Sequence, residues 1–395
     1  MNLSLLHSEA QKFIRNYSED TMVLAFKGSP FEEISVQELI EQIECFRKTR
    51  KKLPSWHHTD GIYFPPKLNI EQTSSELTAE YKASLVSGAT IADITGGLGV
   101  DSFYFAQNFD TVAYFELNTE LIAIAKHNFE QLGATNINCS NADGLATSMK
   151  GQYDAIFVDP ARRHSAKGKV FFLKDCEPNV VGKTHDLLNH CESLLIKTSP
   201  MLDISVGMSE LSHVVEIHVV AVENEVKELL WLLKKDPTVS IAIKTVNITK
   251  TKEEHFDFIH GVEAVPSYGP PLQYLYEPNA AIMKAGAFMQ ISEVYELLKL
   301  QSNSHLYTSA ELLEFPGRRF KMDRMIPYQK SEVKKHLVGL KANIATRNFP
   351  ETVQVLRKKW KIKDGGDVYL FFTTLLNNDK IVLICSKINS SFEKV

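Results

Sequence analysis

Residues 91–101 read Ile-Ala-Asp-Ile-Thr-Gly-Gly-Leu-Gly-Val-Asp. An apolar strand runs into an acid, Asp93, then through Thr95 into Gly96, Gly97 and Gly99, and closes on a second acid, Asp101. Glycines stand this close together where the backbone must turn sharply or let a ligand approach. In an open α/β sheet, such a turn after a strand is where a nucleotide-type cofactor sits. A dinucleotide fingerprint would need a third glycine to pack helix on strand, and Ser102 holds that position.

The next strands add acids in the same place. "TVAYFEL" ends on Glu116 and Leu117, where a carboxylate can accept hydrogen bonds from two ribose hydroxyls. "NADG" puts Asp143 and Gly144 at an adenine position, its acceptor oxygens suited to an exocyclic amine. "YDAIFVD" delivers Asp159 and Pro160 to the same edge, followed by Arg162 and Arg163. A guanidinium plane can stack on a base or grip a phosphate. "LLIKTSP" adds Lys197 one strand later, where it could equally snorkel from a strand end.

The elements that must carry these residues alternate. "TIADIT", "TVAYFEL", "NINCSNA", "YDAIFVD", "SLLIKTS" and "VVEIHVVAV" are apolar along their length, as strands of a parallel sheet covered on both faces are. Helical stretches such as "DSFYFAQN", "TELIAIAKHNFEQLG" and "THDLLNHCE" separate them. "ENEVKELLWLLKK" reads as a helix and "VSIAIKTVNIT" as a closing strand. The fold class is α/β, a doubly wound Rossmann-like sheet. Ahead of it the first fifty residues read as helical, "SVQELIEQIECFRKTRKK" most clearly. "KLPSWHHTDGIYFPPKLN" reads as a linker, broken by Pro54, Gly61, Pro65 and Pro66. His57 and His58 are adjacent, so regular structure points them apart; they are expected at the surface. After residue 265, "NAAIMKAGAFMQISEVYELLKL" reads as helix, and "GGDVYLFFTTLLNNDKIVLICSKI" as a hairpin turning at "NNDK".

In order along the chain, these signals resemble the motifs of class I S-adenosylmethionine-dependent methyltransferases. Asp93, Thr95, Gly96, Gly97, Gly99 and Asp101 match the glycine-rich loop; Glu116 with Leu117 matches the ribose acid. Asp143 with Gly144 matches the adenine position, and Asp159-Pro160 the catalytic-face motif. The resemblance implies S-adenosylmethionine as cofactor and a seven-stranded sheet whose last strand is antiparallel. "SSELTAEYKASL", "YLYEPNAAIMKAG" and "ATRNFPETVQVLRKKWKIKDGGDVYLF" extend it to a bacterial group with a ferredoxin-like insert and a C-terminal THUMP-like domain. That group implies RNA as the partner. The expected division is a helical region and linker over 1–70 and the methyltransferase domain over 71–265. A ferredoxin-like segment then covers 266–318, and a small α+β THUMP-like module 319–395.

The acceptor is read less directly. N-methyltransferases of bases carry Asp or Asn, Pro, Pro and an aromatic, and here Ala161 and Arg162 replace the last two. Ribose 2′-O-methyltransferases use Lys, Asp, Lys and Glu, for which Lys82, Asp159, Lys197 and Glu223 are in order but loosely spaced. Base N-methylation is favoured, with Asp159 and Pro160 catalytic and Arg162, Arg163 and Lys197 on the substrate. Cys176 has no activating neighbour in sequence and reads as inert. A non-RNA acceptor, or an RNA-binding protein that keeps the fold without turnover, are the alternatives; a nicotinamide oxidoreductase would need the missing glycine.

Bulk properties agree with a soluble protein of two or three domains across 395 residues. The net charge of −4 divides unevenly: Arg318 to Lys363 holds fourteen Lys or Arg against three acids, +11 locally, leaving −15 elsewhere. Such a stretch suits a polyanion, although a solvated basic surface would have the same composition. The five cysteines lack metal or disulfide spacing, and the N-terminus lacks a signal-peptide core. No membrane association and no metal are expected, and the expected compartment is the cytoplasm.

Overall fold

The computed structural model describes residues 1–162, 172–236 and 240–388. The chain divides into two compact units, Met1–Val222 with Lys227–Ile241, and Glu223–Val226 with Ala242–Val395.

The first unit opens with helices α1 (Ser8–Asn16), α2 (Thr21–Lys27) and α3 (Val36–Lys52). Ser35 starts α3 with a capping box: its Oγ accepts from Glu38 N at 3.2 Å, and the Glu38 carboxylate accepts from Ser35 N at 2.9 Å. The stretch expected to be a linker is instead folded. It holds α4 (Pro54–His58) and the start of α5 (Lys67–Gln72), and it buries Trp56 completely; α6 (Glu76–Ser84) follows. His57 is half-buried rather than at the surface, its ring stacked 4.0 Å from that of Phe46. The extended piece between α4 and α5 has no strand partner, so two buried amides serve its backbone. Gln42 exchanges hydrogen bonds with Phe64 at 2.6 and 3.0 Å, and Asn128 with Tyr63 at 2.9 Å each way.

Strands β1 (Thr90–Asp93), β2 (Thr111–Glu116), β3 (Ile137–Asn141) and β4 (Tyr153–Val158) alternate with α7 (Val100–Phe105), α8 (Thr119–Gln131) and α9 (Gly144–Ser148). A short antiparallel pair, β5 (Ala161–Arg162) and β6 (Cys176–Glu177), follows, then α10 (Thr184–Leu188) and β7 (Cys191–Thr198). The unit closes with α11 (Ile204–Glu210), β8 (Val214–Val222) and β9 (Glu225–Lys234). Seven of these strands lie in the order β3-β2-β1-β4-β7-β9-β8. The first five run parallel, and β9 is antiparallel to β7.

One expectation is corrected here. "EVKELLWLLK" is β9, the antiparallel seventh strand, and not a helix. Leu229 to Leu233 are all buried, and an unbroken apolar run carries no period that separates strand from helix. "AIKTVNI" instead opens the second unit as β10 (Ala242–Ile248), in an antiparallel hairpin with β11 (Glu253–Ile259).

The second unit continues with β12 (Ser267–Tyr268) and β13 (Tyr274–Pro278). The long helix expected next is broken into α12 (Ala280–Ala285), capped by Gly286 at φ +73°, and α13 (Gln290–Val294). Then come β14 (Leu298–Lys299), β15 (Tyr307–Ser309), β16 (Gly317–Pro327), α14 (Lys330–His336), β17 (Lys341–Arg347), α15 (Val353–Trp360), β18 (Lys363–Thr374) and β19 (Lys380–Lys387). They form an eight-stranded sheet in the order β12-β14-β15-β13-β16-β19-β18-β17. The β18–β19 hairpin turns where the sequence indicates. Val333, Leu337, Leu356 and Trp360 of α14 and α15 pack on Ala342, Leu370, Phe372 and Val382 of the sheet.

Candidate functional site

The glycine turn after β1 is built mainly by packing. Gly97 and Gly99 sit at φ +57° and +87°, which side-chain-bearing residues rarely adopt. A Cβ on Gly96 would lie 2.2 Å from the Tyr114 ring, and one on Gly99 2.3 Å from Phe129. A Cβ on Gly144 would lie 2.3 Å from the carbonyl oxygen of Ile94. Gly97 alone of the four faces open space, its nearest neighbour being a backbone oxygen at 3.8 Å. Ser102, in the third glycine's place, donates its Oγ to Asp93 Oδ2 at 2.5 Å.

Asp93 is buried at the end of β1 and also accepts from Thr95 N at 3.1 Å. Burial pushes its carboxyl up to about 7, against the lowering effect of the Ser102 hydroxyl. Glu116, at the end of β2, accepts from Gly97 N at 2.9 Å on one oxygen and Asn118 N at 2.8 Å on the other. Leu117 is exposed beside it. Asp143, after β3, is exposed and caps α9 through Ala146 N at 3.2 Å. Thr95 Oγ1 accepts from Asp159 N at 2.7 Å, tying the β1 turn to the end of β4. Asp93, Gly97, Glu116, Asp143 and Asp159 therefore lie along the carboxyl ends of four adjacent strands.

Beside Asp159 the charges are dense. Lys197, on β7, donates to Asp159 Oδ2, and Pro160 is buried behind them. Burial works against the Lys197 ammonium, but Asp159, Glu228 and Asp101 outweigh it and hold its pKa above the usual lysine value. Lys82, fully buried on α6, donates to both carboxylate oxygens of Glu228 at 2.8 and 2.9 Å and to Ser74 Oγ at 3.1 Å. Asp101 lies 3.2 Å from Lys82 and accepts from Ser74 Oγ at 2.9 Å. Burial, ahead of the opposing lysines, raises the Glu228 carboxyl above its ordinary value.

Two readings change. Glu223 is not the fourth member of the Lys-Asp-Lys-Glu set; its carboxylate accepts from Lys250 N at 2.8 Å in the second unit. Glu228, within the apolar run of β9, pairs with Lys82 instead. Arg162 contributes a backbone pairing with Cys176, which is buried; Arg163 lies outside the described residues. In the second unit, buried Glu277 accepts from Arg318 and, at 2.6 Å, from Arg347. Lys334, Lys335, Lys341, Lys358, Lys361 and Lys363 are exposed. Among the described residues no cluster of three or more His, Cys, Asp or Glu could hold a metal, and no helix is long and apolar enough to cross a membrane.

The chain is similar over its whole length to a solved structure described as "putative methyltransferase from Porphyromonas gingivalis W83". The two are 32% identical, with 98% of each chain covered and a TM-score of 0.87. A ferredoxin-like domain profile matches residues 274–316, and a THUMP domain-like profile matches 317–387. Fainter likenesses reach a described "rRNA Methylase from Streptococcus thermophilus" and a "putative methyltransferase from streptococcus mutans in complex with SAH". Each is 15% identical and covers 40% of this chain, with 95% and 96% of theirs, at TM-scores of 0.30. Among curated proteins none matches the sequence.

Proposed function

The chain belongs to the class I methyltransferases that end in a THUMP-like domain, and we propose that it methylates RNA with S-adenosylmethionine. The observation that carries this reading is the row of acids on one rim, with Glu116 pinned beside the open face of Gly97 and Asp159 paired to Lys197 two strands away.

The residues fit the cofactor. Each Glu116 oxygen takes one backbone N–H, which leaves lone pairs for the two hydroxyls of a ribose. Asp93, Thr95, Gly96, Gly97, Gly99, Leu117, Asp143 and Gly144 complete the cradle, while Asp101 braces Lys82 behind it. The bound cofactor supplies an activated methyl carbon on a sulfonium, so the protein's task is alignment of the acceptor. Asp159 Oδ2 is held by Lys197, and Oδ1 is then the acceptor for a base amine N–H.

A second reading has its own observation. Lys82 with Glu228, and Lys197 with Asp159, bring two lysines and two acids together, and Lys197 feels both acids. An ammonium beside the acceptor would stabilise the alkoxide of a ribose 2′-hydroxyl. RNA as substrate is supported by the +11 stretch of the second unit, whose phosphate contacts would position without reading sequence. The cytoplasm, where the free cysteines stay reduced, is the compartment we infer.

The deciding experiment treats total RNA from a deletion strain with the purified protein and labelled cofactor, then digests the RNA for nucleoside mass spectrometry. A methylated base or a 2′-O-methyl nucleoside restored by the protein is expected and separates the two readings. Cofactor turnover with no label in RNA would point to another acceptor. RNA binding without turnover would leave only a binding role.

A further inference from the structure

A cavity of about 270 Å³ is lined wholly by residues of the second unit. Its lining comes from the turn that starts at Glu223, the β10–β11 hairpin, Asn279 before α12, the start of β16 and the end of β19. One wall is closed by its own hydrogen bonds. Asn247 Oδ1 accepts from Asn224 N at 2.8 Å, and Asn224 Oδ1 accepts from Ala280 N at 2.8 Å. Glu254 Oε2 accepts from Asn247 Nδ2 at 3.0 Å and Asn279 Nδ2 at 3.2 Å, while Lys252 lies 3.4 Å from Oε1. That wall is therefore fixed before a ligand enters, and Glu254 is already occupied.

The groups left over are two cations and one acceptor. Buried Glu277 accepts from Nε of Arg318 at 2.6 Å and from its Nη2, which holds the guanidinium in place and leaves Nη1. Glu277 also accepts from Arg347 at 2.6 Å, so one acid serves two arginines and positive charge remains. Lys387 stands opposite Phe320 in the β16–β19 register, which makes it a diagonal neighbour of Arg318 on one face of the sheet. The Lys387 ammonium has no partner among the described residues. Glu223 accepts from Lys250 N at 2.8 Å on one oxygen, and its other oxygen has no partner among the described residues.

We propose that this cavity binds a phosphorylated ribose, with Arg318 and Lys387 on the phosphate and Glu223 accepting from a ribose hydroxyl. Two cations suit a phosphate monoester, which carries about −1.5 to −2 at neutral pH, better than a singly charged carboxylate. Arginine meets phosphate oxygens with a planar fork, and lysine adds a compact point charge. The volume lies just below the ~300–1,000 Å³ of ordinary small-molecule clefts, so the group bound is small. Ribose is the hydroxylated phosphate ester that an RNA terminus brings to the protein, so the choice of sugar rests on the RNA reading above; a free nucleotide carries the same group.

The test titrates the full chain calorimetrically with ribose 5-phosphate and with inorganic phosphate, as wild type, Lys387→Met and Glu223→Gln. Wild type should bind ribose 5-phosphate roughly tenfold more tightly than phosphate. Lys387→Met should weaken both ligands roughly tenfold. Glu223→Gln keeps an oxygen for Lys250 N, and should weaken ribose 5-phosphate while leaving phosphate as tight or tighter. Melting temperature and cofactor affinity should stay at their wild-type values, which shows that the fold is intact. Competition by a 5′-phosphorylated RNA oligonucleotide and by adenosine 5′-monophosphate then assigns the source. Displacement by the RNA supports the cavity and the RNA reading together. Displacement by the free nucleotide alone supports the cavity and counts against the RNA reading. If ribose 5-phosphate binds no better than phosphate, or both variants bind it as wild type does, the proposal is overturned, whatever label transfer to RNA shows.

Discussion

Lys197 reaches from β7 to the carboxylate of Asp159 at the end of β4, while the Asp159 backbone N–H is held by Thr95 Oγ1 at 2.7 Å. The acid is therefore fixed from two sides by residues of the two neighbouring strand ends. A carboxylate so restrained cannot swing away from a substrate, and alignment is what methyl transfer asks for.

Asp159→Ala removes that group and strands the Lys197 charge. Turnover is expected to fall by roughly 10²-fold or more, with cofactor affinity changed only modestly. Steady-state kinetics beside calorimetric titration of the cofactor will check this; a fully active variant would sink the assignment.

Lys82 and Glu228 form a buried pair whose members depend on each other. Lys82→Met alone should cost about 3–5 kcal/mol, because buried Glu228 loses both of its hydrogen bonds from the ammonium and Asp101 loses its nearest cation. Lys82→Met combined with Glu228→Leu should recover part of that loss in denaturant unfolding, Asp101 still lacking its cation. Equal destabilisation by single and double variants would contradict the pairing.

Two glycines of one turn should separate fold from ligand. Gly99→Ala meets the Phe129 ring and a φ of +87°, so a loss of roughly 2–3 kcal/mol is expected. Gly97→Ala meets no neighbour and bears only the strain of φ +57°, about 1 kcal/mol. Its cofactor affinity should nonetheless fall at least as far. Thermal melts with and without cofactor decide the matter.

Asp93 makes stability depend on pH. Its folded pKa of about 7 lies above the ordinary aspartate value of 3.8, so between those values the unfolded chain has lost a proton that the folded one keeps. Stability from this group is therefore highest below pH 4, declines as pH rises to about 7, and is level above. At about 1.4 kcal/mol per unit the total is roughly 4–5 kcal/mol. Asp93→Asn should match wild type near pH 4 and exceed it at pH 8 in urea midpoints. A gap that does not widen with pH would refute the burial argument.

Lys334 and Lys335 are exposed near the end of α14 in the second unit. Replacing both with alanine should weaken RNA binding alike across sequences and lower the salt slope by about 1.4. A sequence-selective loss would mean that they read bases.

Much of the site is legible in the chain because it is local. Asp93 and the glycines share one short stretch, and Glu116 and Asp159 each close an apolar run, so strand ends and acids are read together. Ser102, in the third glycine's place, already argues against a dinucleotide. The failures share a cause. "EVKELLWLLK" offers no period, because β9 is buried on both faces between β7 and β8, and nothing local marks Glu228 within it. The supposed linker carries prolines and a glycine, yet Gln42 and Asn128, distant in sequence, satisfy its backbone and fold it down.

From residue types and spacing alone come the α/β class, the rim of acids and the basic C-terminal stretch, since each rests on neighbours within one turn or strand. Pairing across the chain needed the folded molecule. Lys82 meets Glu228 over 146 residues and Lys197 meets Asp159 over 38. Electrostatic partners are chosen by distance in space and by the low dielectric of burial, and neither is written into the order of residues.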